Sequence, residues 1–500
     1  MLNKIKGNIN LKKDIHVQNC KFEIICFSVI TLFSYLWWII NFNQYANYQN
    51  IKGQETLLSM FVFISIIFFS YFLILFNDRN EIRNIELFIS IVLALIVRLV
   101  LGILFYGHPI DINCYLAWMN AAANDLFNIY EKEMFIDYLP GYLIALSLFK
   151  KISVMLSLNV PDILIVKLPN IISDIILGLL VIKIKRKMQL NIYRKDILIL
   201  LFNPLFIILS AIWGQSDSFV IMLFALVLYC LLFNFDILAG FTIAYLFFTK
   251  PQFALYFILI VIYWLFNILK KTQIKQMYSQ IFAFFVTSFL MYLVFMPNRE
   301  ILWLIKLFWK IANEYPYYSV NAFNIYFVFN LNWVKIKDKF NYLGYILLVT
   351  IYFLILISIV TVNSKKNCRD ERINIFKTIL RGGLIISVFS FSCMPSMHER
   401  YLIFGTLFLM LLYVIENSVE YLLKLLILSL LSFMNIAKVL LLSFSNNYFI
   451  YRDYSNMLVA LFIIIFMLLT FYYLFSEIVF EKVKMYLPYI LKYTKFKKTD

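Results

Sequence analysis

The run Met397-His398-Glu399-Arg400-Tyr401 sets a potential acid/base, a carboxylate and a guanidinium side by side, between apolar runs near 377–394 and 401–416. Charges beside hydrocarbon are costly and are usually kept for function. This triplet can hold an anion, and the anion natural to a membrane face is a phosphate. Lys250, in Lys250-Pro251-Gln252, would join His398 and Arg400 in neutralising a phosphate leaving group, with Glu399 orienting the cations. Asp111, in His108-Pro109-Ile110-Asp111, follows an apolar run, where a partly desolvated carboxylate can serve as a general base. Asp137, Tyr138, Trp213, Gln215, Asp217, Gln252 and Asn321 supply aromatic faces, amides and carboxylates, the chemistry that suits a polyhydroxyl ligand. Each has a structural reading when taken alone. Asp137 or Asp217 can cap a helix, Pro140, Pro251 and Pro395 can break one, and Gln215 can bond a neighbouring helix. Their convergence on one face is the argument for a shared site.

That convergence follows from the elements that carry them. The chain has 500 residues, is 63% hydrophobic and has a mean hydropathy of +0.83. A soluble globule of this size cannot bury so much apolar surface, so the fold class is all-α, a polytopic transmembrane bundle. Apolar runs near 24–41, 57–76, 86–106, 163–182, 196–212, 217–234, 237–249, 252–269, 279–296, 342–362, 377–394, 401–416, 421–441 and 456–477 give about 14 helices. Basic segments at 1–21, 78–83, 183–195, 270–275, 365–372 and from 481 onward then all fall on one side, the cytoplasmic one, with both termini inside. The stretch 142–158, interrupted by Lys150-Lys151, must be a juxtamembrane helix on the outer face to keep that order. Two more segments read as outer interfacial helices: 115–130, with Tyr115, Trp118, Met119, Ala122, Leu126 and Ile129 on one stripe, and 301–311, with Lys306 and Lys310 on the wet side.

Net charge is +17, which in a soluble protein would suggest nucleic acid. Here the cations sit in loops and tails, and anionic membrane lipids account for them; no nucleic-acid partner is expected. Six scattered cysteines without CxxC spacing read as buried free thiols. The first twenty residues lack a cleavage signature, so the first apolar run reads as a retained anchor. Arg98 and Asp174 lie inside apolar runs on the third and fourth helices, where mutual pairing is the simplest way to keep both charges.

In their order along the chain, these residues resemble the GT-C superfamily of polyprenyl-phosphate-sugar-dependent glycosyltransferases. Asp111 matches the catalytic carboxylate of the first large outer loop, and Asp137-Tyr138-Leu139-Pro140-Gly141-Tyr142 is similar to the DYPP-type motif that follows it. Asn203-Pro204, Trp213-Gly214-Gln215-Ser216-Asp217, Lys250-Pro251-Gln252 and the MHERY run look like the bacterial branch related to the second GPI mannosyltransferase. The resemblance covers roughly 86–416, a catalytic module within one domain of 1–500; residues 1–85 and 417–500 flank it. Leu139 stands where the family usually has Pro, and the lone Asp111 offers no DxD-type site for a divalent metal. The resemblance implies a hexosyltransferase of the plasma membrane that inverts the sugar. Its donor would be a polyprenyl-phosphate sugar and its acceptor a lipid-linked or cell-envelope glycan, with no certain cofactor. The competing readings are a transporter or flippase of a lipid-linked saccharide, and a glycan ligase or polymerase. The first would normally show inverted repeats, and the sequence has none.

Overall fold

The computed structural model describes residues 21–48, 53–75, 78, 80–337, 341–360 and 368–473. The expected cytoplasmic termini, and parts of the basic segments at 78–83 and 365–372, lie outside them. Helix dominates. The longer elements are α1 (Lys21–Tyr48), α2 (Gln54–Leu75), α3 (Asn84–Leu104), α4 (Pro109–Asn124), α5 (Pro140–Met155), α6 (Asp162–Lys187), α7 (Arg194–Leu201) and the single turn α8 (Pro204–Ile207). They continue with α9 (Asp217–Phe233), α10 (Asp236–Phe247), α11 (Ala254–Lys270), α12 (Ile274–Val294), α13 (Trp303–Ala312), the turn α14 (Ile325–Val328) and α15 (Asn341–Val360). The last four are α16 (Cys368–Cys393), α17 (Ile403–Glu416), α18 (Val419–Ser443) and α19 (Tyr454–Tyr473). Among the described residues, ten helices are long and apolar enough to cross a membrane, and four shorter ones are apolar.

The packing explains why such a chain needs lipid. α18 is the axis, with 94% of its apolar window buried, whereas the corresponding figure for α12 is 17%. Outer helices leave large side chains bare, among them Ile64 on α2, Phe88 on α3 and Phe282 on α12. Water would not tolerate that much contiguous apolar surface, and acyl chains do. Helices close tightly where glycine permits it: a Cβ on Gly240 of α10 would stand 2.1 Å from the Gln280 carbonyl oxygen of α12. Asn234, Lys271 and Asn417 turn the chain out of α9, α11 and α17 in left-handed conformations.

The basic helix ends and the polar signatures lie at opposite ends of the same helices. α3 starts after Arg83 and ends four residues before His108, α6 ends in Lys185-Arg186-Lys187, α9 starts at Asp217, and α11 starts just after Gln252 and ends at Lys270. At the basic end Lys185 and Asp196 form a buried pair at 2.7 Å, which locks α6 to α7.

The interfacial layer differs in detail from the sequence expectation. α4 begins six residues earlier than 115 and stops at Asn124, because Asp125 turns the chain and bonds Asn128. Ile129 is still buried, in a separate short turn. α5 buries Tyr142, Leu143, Ala145 and Leu146 and exposes Val154 and Met155. Lys306 and Lys310 are both exposed, as expected; Lys306 is bound to Glu300, and Lys310 lies over the Phe135 ring and donates to the Ile136 carbonyl. The loop 313–337 adds a two-residue strand, β1 (Ser319–Val320), paired in parallel with β2 (Met397–His398).

Candidate active site

Asp111 is presented by a rigid corner. His108 is the N-cap of α4 and Pro109 its first residue, where proline's missing N–H is no loss. Gly107 precedes them at φ +100°, and a Cβ there would meet the Trp213 carbonyl oxygen at 2.4 Å. Only glycine satisfies both conditions. Gly107→Ala is therefore expected to cost about 1–3 kcal/mol and to displace Trp213, read as lower unfolding stability in detergent together with an altered tryptophan emission. Unchanged values for both would remove the corner from the account.

The partner of that corner is the end of the α7–α8 segment. Asn203 caps α8 by accepting from the Leu205 amide, and Pro204 follows. The chain then widens into a π-turn, Ile208–Trp213, and leaves it through Gly214 at φ +84°. Wide turns of this kind re-aim side chains at functional sites. Here Trp213 Nε1 and Gln215 Nε2 both donate to Asp111 Oδ2, at 2.7 and 2.8 Å. Asp111 Oδ1 has no hydrogen-bond partner among the described residues. Behind the turn, buried Lys167 donates to the carbonyls of Gly102, Phe105 and Ile212, pinning α3 to the π-turn, and Asn170 donates to the Gly214 carbonyl.

Asp111 opens on a cleft of about 90 Å³. Asp111, Asp137, Tyr138, Lys250, Gln252, His398 and Arg400 all line it. Trp213, Gln215, Asp217 and Glu399 stand behind these residues and hold them. Asp217 receives Lys250 at 2.8 Å and Arg400 at 3.2 Å, and Glu399 receives Arg400 at 2.6 Å. Two cations are thus matched by two buried carboxylates, which makes their desolvation tolerable. Arg400 Nη2 has no hydrogen-bond partner among the described residues, so a donor remains for a bound anion. The loop before α5 is fixed by Tyr130, whose hydroxyl donates to the Tyr138 carbonyl, while the Tyr138 hydroxyl meets Tyr115 and Ser216. Gln252 donates to the Tyr401 hydroxyl at 2.6 Å, leaving its own buried oxygen without a partner.

The charges of the cleft are set first by burial. Burial pushes the Asp137 carboxyl up to about 6, with Asp111 and Glu314 adding to the effect. Its Oδ1 is buried without a hydrogen-bond partner. Burial, then Arg400 and Lys250, hold His398 well below the usual histidine range, so it is neutral near pH 7. Burial also pulls Lys250 down, and Asp217 opposes that.

Asn321 is not brought into the cleft. Its left-handed backbone and both ends of its side chain are spent on the loops: Asn332, Trp333 and Ile450 donate to its Oδ1, and its Nδ2 donates to the Tyr448 carbonyl. Arg98 and Asp174 pair at 3.0 Å, fully buried between α3 and α6. Tyr115, Trp118, Glu314 and Tyr315 also line the cleft and were missed by sequence reasoning. Tyr115 and Trp118 were within reach of it, since they lie four and seven residues after Asp111 and so on the same helix face. Glu314 and Tyr315 arrive from a loop and carried no signal. Among the described residues, no group of three or more His, Cys, Asp or Glu is placed to hold a metal ion. No family model matches the chain, and no curated protein matches it in sequence.

Proposed function

We propose that this protein is an integral membrane glycosyltransferase of GT-C type that moves a sugar from a polyprenyl-phosphate donor to an acceptor hydroxyl, with inversion. The observation that carries the reading is Asp111 itself. One of its oxygens is fixed by Trp213 and Gln215, and the other is left for chemistry, in one cleft with Lys250 and Arg400. The acceptor O–H gives its proton to Asp111 Oδ1 while its oxygen bonds to the anomeric carbon. The bond from that carbon to the phosphate oxygen breaks on the opposite face, and its electron pair leaves with the phosphate, which Arg400 and Lys250 stabilise. Asp137, Tyr138 and Gln252 would hold sugar hydroxyls.

The ten long apolar helices together with the four shorter ones support fourteen crossings. With the basic helix ends cytoplasmic, the cleft opens on the outer face of the plasma membrane, where a lipid-linked or cell-envelope glycan is the acceptor. The test is incubation of membranes containing the protein with a panel of polyprenyl-phosphate sugars. Release of lipid phosphate from one donor is the expected result. No release from any donor, alongside movement of a lipid-linked saccharide across sealed vesicles, would favour the flippase reading.

A pH dependence of donor binding follows from Asp137. Below about pH 6 its carboxyl is neutral, and above that it adds a negative charge to the cleft that receives the phosphate. The donor is a phosphodiester and keeps its single charge throughout. Donor affinity is expected to fall on the order of fivefold between pH 5 and 7.5, the worth of ~1 kcal/mol of repulsion. Asp137→Asn should flatten the profile. An equally steep profile in that variant would assign the titration to another group.

A further inference from the structure

We propose that His108 is a positioning residue for Asp111, carrying its proton on Nδ1 and directing that N–H at Asp111 Oδ2, so that Oδ1 is the oxygen that takes the acceptor's proton. This rests on the reading of Asp111 as the base. The geometry comes from three directions. His108 Nδ1 lies 3.6 Å from Asp111 Oδ2, longer than a hydrogen bond but with no other partner for a buried nitrogen. The imidazole is stacked on Trp213, centroids 4.9 Å apart and planes 10° from parallel, and the Trp213 N–H is already spent on the same carboxylate oxygen. As N-cap of α4, between Gly107 and Pro109, its backbone is fixed relative to Asp111 one turn on.

The tautomer follows from electrostatics. A lone pair on Nδ1 would face the carboxylate across that gap, repelled and without a donor, whereas an N–H there is attracted. His108, Trp213 and Gln215 then present three N–H groups to Oδ2. A carboxylate oxygen so engaged is a poor proton acceptor, so the proton goes to the other oxygen, the one facing the cleft. The groups facing the ring are few. Asp111 favours its protonation, Arg400 opposes it, and the Tyr448 ring lies 5.4 Å away from the loop before α19. Burial holds His108 below the usual histidine range, so it works as the neutral N–H form at neutral pH.

The experiment has two arms on the full chain in nanodiscs. The first is nitrogen NMR of histidine rings, feasible because the sequence holds three histidines, His16, His108 and His398. The His108 signal is identified by its loss in His108→Asn. It should show the Nδ1–H tautomer, and Asp111→Asn should lower its pKa by about one or more, since the carboxylate that favoured the cation is gone. An Nε2–H tautomer, or a pKa indifferent to Asp111→Asn, overturns the proposal whatever the activity. The second arm is lipid-phosphate release. Asn places an amide N–H where Nδ1 sits, and Gln places one where Nε2 sits. His108→Asn should keep turnover within about tenfold of wild type, and His108→Gln should lose a further tenfold or more, with similar thermal stability for both. Equal losses in the two variants overturn the positioning role. If wild-type protein releases phosphate from no donor, the glycosyltransferase reading fails, and the NMR arm still decides whether His108 serves Asp111.

Discussion

Asp111→Asn is expected to lower turnover by about 10²- to 10⁴-fold, the usual worth of a positioned general base, while the protein inserts and folds as before. The substitution is close to isosteric. The fixed oxygen keeps the hydrogen bonds from Trp213 and Gln215, because an amide oxygen accepts as a carboxylate oxygen does. The amide nitrogen then faces the cleft, a donor where an acceptor is needed. The loss should fall on the chemical step, with donor affinity unchanged or slightly improved, since on the proposed reading one negative charge leaves the cleft that receives the phosphate. Single-turnover release of lipid phosphate, with donor binding measured separately, checks both. Turnover near that of wild type would take Asp111 out of the mechanism, and a loss confined to donor affinity would make it a binding residue.

Breaking the buried pair of α3 and α6 is expected to be the most destabilising change in the chain. Arg98 Nε donates to Asp174 Oδ2, its Nη1 donates to the Leu201 and Ala94 carbonyls, and Ser210 adds a further hydrogen bond to the carboxylate. Asp174→Leu leaves a guanidinium without its counter-charge, and Arg98→Met leaves a bare carboxylate. Each should cost about 3–5 kcal/mol, and the double variant should cost well under the sum. The exchange Arg98→Asp with Asp174→Arg should recover only part, because the Leu201 carbonyl and the Ser210 hydroxyl lose partners that a swap does not restore. Unfolding free energies in mixed micelles measure the cycle. Single changes costing below about 1 kcal/mol would show that the pair is dispensable.

The class of the fold was legible because hydropathy and loop charge are local properties. Each long apolar run carries its own evidence of spanning, and each basic segment its own preference for one side. The cleft residues Asp111, Lys250 and Arg400 were legible for a related reason: ionisable groups stand out against apolar sequence. Their contacts were not. Gln215 reaches Asp111 across 104 positions of chain, and only through a π-turn that no periodicity announces. Asn321 shows the opposite failure. A polar residue in an outer loop looks like a ligand until its amide is found bonded to Asn332, Trp333, Tyr448 and Ile450. Lys167 was passed over because a cation satisfied by three carbonyls needs no acidic partner to reveal it.

The pairing of Asp217 sets a schedule for biogenesis. Helices enter the membrane in chain order, and everything that anchors Asp111, from Gly107 through Lys167 to Gln215, has emerged before α10 begins. Lys250 follows soon after and gives Asp217 its first counter-charge. Arg400 arrives some 150 residues later still, with the α16–α17 hairpin, and brings Glu399 with it as its own counter-ion. A nascent chain halted before that hairpin therefore holds Asp111 in its anchored setting and only one of the two cations that meet at Asp217. The cation cluster of the cleft is completed only when the last quarter of the chain, from Cys368 onward, has been added.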